Sequence, residues 1–166
     1  MHHHRNIVLI GMPGAGKSTV GVVLAKTIGM QFIDTDILIQ ERTGRKLQEI
    51  LDQDGPDAFK RIEEETILSL HPRRAVIATG GSVVCSEAAM AHLKSIGVVV
   101  YLKIGYDEMV KRLRNITTRG ILLLPGQSLR EMYEERVPLY ERYADLTAPC
   151  SGRDLESVLE SVLEAL

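Results

Sequence analysis

The chain has 166 residues, which fits one domain with a real core, and its 45% apolar and 25% charged residues are ordinary for a globular protein. The formal net charge of -2 offers no basic excess to a nucleic-acid partner, although a local basic cluster lies between Lys111 and Arg119. No apolar run is long enough to cross a bilayer, and the start, Met1-His2-His3-His4-Arg5, lacks a signal-peptide core, so a cytoplasmic location and no membrane contact are expected.

Residues 7–10 form a short β-branched run stopped by Gly11, the pattern of a strand buried on both faces. From Lys17 to Ile28 the period becomes helical, with Val20, Val23, Leu24 and Ile28 spaced by threes and fours and Gly29 as terminator. Gln31 to Asp34 reads as a second strand, followed by short helical pieces at 37–42 and 47–51, with turns at Gly44 and Gly55. A longer helix is expected over 56–70, with Pro56 in its first turn and Phe59, Ile62, Thr66, Ile67 and Leu70 as its buried stripe.

Ala75 to Ala78 is a third strand, ended by Gly80-Gly81, and Glu87 to Ile96 is helical. A fourth strand is expected at 98–102 and a helix at 107–114, then an irregular segment over 115–125. A helix at 129–144, a short fifth strand at 146–147 and an amphipathic helix at 155–166 complete the chain. Alternating strands and helices imply an α/β domain with a parallel sheet covered on both faces. Cys85 and Cys150 are far apart and in no paired spacing, and both read as free thiols. The three histidines are either a tag remnant or native, and a free terminus gives them no fixed metal geometry.

Gly11-Met12-Pro13-Gly14-Ala15-Gly16-Lys17-Ser18 fits G-x-x-x-x-G-K-[ST] without a mismatch, between a buried strand and a helix. Such a loop turns successive backbone N–H groups around a phosphate, and the helix start adds its positive dipole end. Gly14, Ala15, Gly16, Lys17, Ser18 and Thr19 are therefore the candidate ATP-binding set. Lys17 can reach the β- and γ-phosphates, and the Ser18 hydroxyl suits Mg2+, which prefers hard oxygen ligands.

Asp34-Thr35-Asp36 lies at the carboxyl end of the second strand, the edge where parallel sheets bind ligands. Residues two apart in an extended chain point the same way, so both carboxylates face one site. Asp34 is assigned to the metal through water, and Asp36 to orienting an acceptor hydroxyl and taking its proton. The alternative is that one of the two caps the following helix.

These segments resemble the shikimate kinase family over nearly the whole chain. The resemblance rests on the phosphate loop, Phe32-Ile33-Asp34-Thr35-Asp36, Thr43-Gly44, Phe59-x-x-x-Glu63, Ala78-Thr79-Gly80-Gly81, Arg119 and Arg136-Val137-Pro138-Leu139-Tyr140. It implies a three-layer α/β/α P-loop kinase fold with a five-stranded parallel sheet, a mobile lid at about 113–125 and an acceptor-binding helical region at about 35–62. It implies ATP- and Mg2+-dependent phosphorylation of the 3-hydroxyl of shikimate by a monomer. Gly80 and Gly81 would meet the acceptor through their backbone, Arg136 would hold its carboxylate, and Arg119 would be the lid arginine and act in catalysis beside Lys17 and Asp36. Arg112 would pack on the adenine, with Arg153 along its edge.

Three positions depart from the family pattern. Lys60 replaces an arginine that helps hold the acceptor carboxylate, and lysine lacks the planar fork. Ser82 stands where a third glycine is usual, and Gly120 follows Arg119 in place of proline, which should loosen the lid. The nucleotide half of the pattern is intact, while Lys60 and Ser82 alter the acceptor half, so two rivals are carried: the same chemistry on gluconate or homoserine, and a nucleotide-binding regulator without catalysis.

Overall fold

The computed structural model describes residues 5–114 and 121–166. Five strands, β1 (Asn6–Ile10), β2 (Gln31–Asp34), β3 (Ala75–Ala78), β4 (Gly97–Lys103) and β5 (Leu146–Pro149), form one sheet in the order β2-β3-β1-β4-β5. Every pairing is parallel, as the alternation of elements predicts. All five residues of β1 and all four of β3 are buried, which requires cover on both faces. The continuous apolar runs of these strands supply that burial, whereas the edge strand β2 is only half-buried.

The helices are α1 (Lys17–Ile28), α2 (Thr35–Thr43), α3 (Leu47–Leu68), α4 (Glu87–Ile96), α5 (Tyr106–Arg114), α6 (Leu129–Tyr143) and α7 (Leu155–Ala165). Right-handed crossovers put α1 on one face, because the chain moves from β1 outward to β2. The later crossovers run the opposite way across the sheet and put α3 to α6 on the other face. The helix α7 packs against α1 and β5, and α3 packs against α4.

The expected elements all appear, with ends that coincide or shift by up to three residues. The pieces expected at 47–51 and 56–70 are the two halves of α3, separated by the break expected at Gly55, whose φ of 87° and ψ of 172° leave the helical region. Pro56 then opens the second half, where its missing N–H costs nothing. A single turn of 3-10 helix at Val83–Cys85 was not anticipated. It is too short for a periodic signal.

Register aligns the site. Asp34 is opposite Ala78, and Ala78 is opposite Leu9. Asp34, Thr79-Gly80 and the phosphate loop after Ile10 therefore leave the sheet side by side at its carboxyl edge. Thr79 fastens this edge by donating both its N–H and its hydroxyl to the Leu9 carbonyl, at 3.2 and 2.7 Å. A second, smaller apolar cluster of Ile39, Ile50, Phe59 and Leu122 lies apart from the sheet core.

Candidate active site

A cleft of about 340 Å³ opens at this edge and joins the phosphate loop to α2, α3 and the β3 end. Gly14 and Gly16 line it with φ of 83° and 92°, the left-handed region that only glycine enters cheaply. Gly16 caps α1, so the helix start and the loop N–H groups converge on the cleft, a ready anion site. Lys17, Ser18 and Thr19 also line it, while Ala15 is buried beneath the loop. Lys17 is buried, and its Nζ donates to the Gly11 and Met12 carbonyls at 2.6 and 2.8 Å.

Asp34 does two things at once. Its Oδ1 accepts the Asp36 and Ile37 backbone N–H groups at 3.0 and 3.3 Å and so caps α2. Its Oδ2 accepts the Ser18 hydroxyl at 2.7 Å. The capping alternative and the metal assignment thus involve different oxygens of one carboxylate. Ser18 and Asp34 form a pair of hard oxygen donors beside the phosphate cradle, and this donor set suits magnesium shared with phosphate oxygens and water. No group of three or more His, Cys, Asp or Glu side chains able to hold a metal occurs among the described residues.

Asp36 lines the same cleft from α2 and faces Gly80: a Cβ built on Gly80 would stand 2.8 Å from Asp36 Oδ1 and 2.8 Å from Glu63 Oε2. The absence of a side chain at Gly80 leaves room where both carboxylates point. Gly81 is held by Tyr140, whose hydroxyl donates to the Gly81 carbonyl and whose ring stacks on Tyr101 at 5.1 Å between centroids. Arg136 is only 3% exposed and lines the cleft from α6. Its Nη2 donates to the Leu122 carbonyl.

The remaining candidates lie elsewhere. Arg112 is outside the cleft lining, and its Nη1 donates to the Gly14 carbonyl at 2.8 Å from behind the loop. It also pairs with Glu108 at 2.8 Å, and Glu108 accepts the Gly152 N–H at 3.2 Å, which brings the loop carrying Arg153 beside it. The Arg153 side chain turns to Ser161 on α7, at 3.1 Å. Lys60 is not among the lining residues; the lysine at the mouth is Lys46, at the start of α3. Arg119 and Gly120 lie outside the described residues, as does 115–120 of the expected lid.

Glu63 is the residue that sequence reasoning left without a role. It is 4% exposed, and burial pushes its carboxyl up to about 7. The Ser82 hydroxyl opposes that rise by hydrogen bonding, the Asp36 carboxylate adds to it, and the charges of Arg136 and Lys17 oppose it. The available signal was its position four residues after Phe59, inside the apolar stripe of α3, where a carboxylate needs a reason.

Among known proteins, the shikimate kinase family model matches residues 13–166. The chain is 39% identical to a shikimate kinase of Thermodesulfovibrio yellowstonii, over 96% of this chain and 94% of that protein. It is 35% identical to a shikimate kinase of Haemophilus influenzae, over 100% of this chain and 94% of that one. A solved structure of Acinetobacter baumannii shikimate kinase in complex with shikimate superposes with a TM-score of 0.89 at 32% identity, covering 99% and 93% of the two chains. A gluconokinase from Sinorhizobium meliloti, at 22% identity, 99% and 92% coverage and a TM-score of 0.63, shares the fold alone.

Proposed function

The chain belongs to the shikimate kinase family, and we propose that it transfers the γ-phosphoryl group of ATP to the 3-hydroxyl of shikimate. The observation that carries this reading is the single cleft in which the phosphate cradle of Gly14 to Thr19 opens directly onto Asp36, Gly80, Gly81 and Arg136. A donor phosphate and an acceptor hydroxyl held there meet at the end of α1. The relative solved with shikimate has the same fold over nearly the whole chain.

The roles follow from chemistry and placement. The loop N–H groups and Lys17 hold the β- and γ-phosphates and offset charge on the moving phosphoryl group. Magnesium held by Ser18 and, through water, by Asp34 would supply further neutralisation of the phosphate oxygens. Asp36 orients the acceptor hydroxyl and takes its proton as the oxygen–phosphorus bond forms. The bond from the γ-phosphorus to the bridging oxygen breaks, and ADP leaves with that electron pair. Arg136 is a buried cation on the acceptor side, suited to a carboxylate. Arg119 closes the nucleotide side in this reading, and Arg112 and Arg153 flank the adenine. Lys60 gives its charge to the acceptor end from outside the cleft lining. The lid at about 113–125 covers the site and the 35–62 region cradles the acceptor.

The test is ADP release from Mg-ATP with and without shikimate. Strong shikimate-dependent release is expected. Release at background, with ATP still bound, would overturn the acceptor assignment and direct the same assay to gluconate and homoserine.

A further inference from the structure

Ser82 follows Gly81 and begins the 3-10 turn at Val83–Cys85. Its side chain is not idle bulk. The hydroxyl donates to Glu63 Oε1 at 2.7 Å, with Ser82 6% and Glu63 4% exposed. The bond joins the end of β3 to the second half of α3, nineteen residues earlier in the chain. Glu63 also lies three residues after Lys60, so both departures of the acceptor half bear on one stretch of helix.

The other oxygen of Glu63 differs. Oε2 is buried and has no hydrogen-bond partner among the described residues. A buried carboxylate oxygen left bare is costly, and a bare oxygen facing a cleft is a place for a ligand donor. Oε2 and Asp36 Oδ1 both stand 2.8 Å from the point above Gly80, so they are no more than twice that distance apart. A polyhydroxylated acceptor that offers one hydroxyl to Asp36 has a neighbouring hydroxyl within reach of Glu63.

We propose that Ser82 is a positioning residue for the acceptor: by holding Glu63 Oε1 it aims Oε2 into the cleft, where Oε2 accepts a hydrogen bond from a second acceptor hydroxyl, not the one phosphorylated. This deepens the functional reading above and rests on it. The groups facing Glu63 are Asp36 from α2, Arg136 from α6, Lys17 from α1 and Cys85 beyond Ser82. None of these neighbours takes the place of the Ser82 hydroxyl at Oε1, where Ser82 is the donor at 2.7 Å. Without the hydroxyl both oxygens compete for partners, and the charged form loses its one neutral donor.

The experiment uses the full chain and three variants, Ser82→Ala, Ser82→Thr and Glu63→Gln. Steady-state ADP release is measured against shikimate and against ATP across pH. Ser82→Ala should raise KM for shikimate about tenfold with KM for ATP unchanged, the signature of a contact to one substrate. The rise of kcat/KM for shikimate with pH should move to higher pH, because the carboxylate loses a stabilising hydrogen bond. Ser82→Thr keeps the hydroxyl and should restore both, and Glu63→Gln should remove that limb of the profile. An unchanged shikimate KM and pH profile in Ser82→Ala overturns the proposal. The titration of Glu63, followed by carbon-13 carboxyl NMR of the ligand-free protein, separates this from the functional reading. An upward move in Ser82→Ala supports the hold of Ser82 on Glu63 whatever the acceptor, and an unmoved titration overturns it. No shikimate turnover by the wild type, with the titration moved, would instead overturn the functional reading.

Discussion

The Ser18 hydroxyl donates to Asp34 Oδ2 at 2.7 Å while the other oxygen of the same carboxylate caps α2. In the proposed reading, metal chemistry and helix stability are thereby divided between two atoms of one side chain. Asp34→Asn keeps a capping oxygen and removes the charge. It should leave stability within about 0.5 kcal/mol, while Asp34→Ala should lose about 1 kcal/mol with the cap. Both should lower Mg-ATP turnover by about a hundredfold or more and raise the magnesium requirement, if the carboxylate serves the metal. Urea denaturation and magnesium titration of ADP release read the two effects separately. Wild-type magnesium dependence in Asp34→Asn would remove the metal assignment.

Asp36 and Lys17 line the same cleft and are assigned to opposite halves of the proposed reaction. Asp36→Asn should leave ATP affinity nearly intact and cut turnover by orders of magnitude, as for a group that acts in the transition state. Lys17→Ala should damage nucleotide handling itself, because Lys17 sits within the loop proposed to hold the phosphates. Binding of a fluorescent ATP analogue, paired with single-turnover rates, distinguishes the two. Unchanged turnover in Asp36→Asn refutes its role, and normal ATP affinity and rate in Lys17→Ala refute the cradle.

The sheet and the nucleotide half of the cleft were legible because each local signal agreed with the next. The apolar run before Gly11, the Lys17-Ser18 pair and the helical period after it specify one strand–loop–helix unit. Asp34 and Gly80 were placed correctly at the sheet edge because both end predicted strands. The acceptor half was less legible. Its geometry depends on where α2 and α3 fold back over the edge, which no periodicity encodes. Lys46 lines the mouth and Lys60 does not, although Lys60 follows Phe59 in a motif. Glu63 and Ser82 are nineteen positions apart, and only tertiary packing makes them partners.

Burial raises the Glu63 carboxyl from its ordinary 4.5 to about 7, so the folded protein holds a proton there that the unfolded chain releases. Between those two values the native state binds more protons than the unfolded state, and stability therefore falls as pH rises through the window. Glu63→Gln carries no such charge. It should be more stable than the wild type at pH 8, by an amount on the order of a few kcal/mol at most, and lose that advantage near pH 4. Urea unfolding of both proteins at the two pH values checks the sign. A Glu63→Gln advantage that does not change with pH would show that the group ionises normally in the folded chain.

Leu122 has only 3% of its surface exposed and packs with Ile39, Ile50 and Phe59, while its carbonyl takes a hydrogen bond from Arg136. The side chain belongs to the small cluster of the acceptor helices, and the backbone is tied to the buried cation assigned to the acceptor carboxylate. The chain around Leu122, which falls within the proposed lid, is therefore anchored beside α2, α3 and Arg136. Leu122→Ala removes that anchor and opens a hole among Ile39, Ile50 and Phe59. A core truncation of this kind costs about 2–5 kcal/mol, with the lower end expected here because the segment can relax. The functional consequence should be one-sided: KM for shikimate rises about tenfold as Arg136 loses its fixed neighbour, and the affinity for ATP stays the same. Leu122→Met, which keeps the volume, should retain most of both stability and shikimate KM. The opposite split, with ATP affinity lost and shikimate KM unchanged, would mean that Leu122 anchors the nucleotide side, and the link from lid to acceptor helices would have to be abandoned.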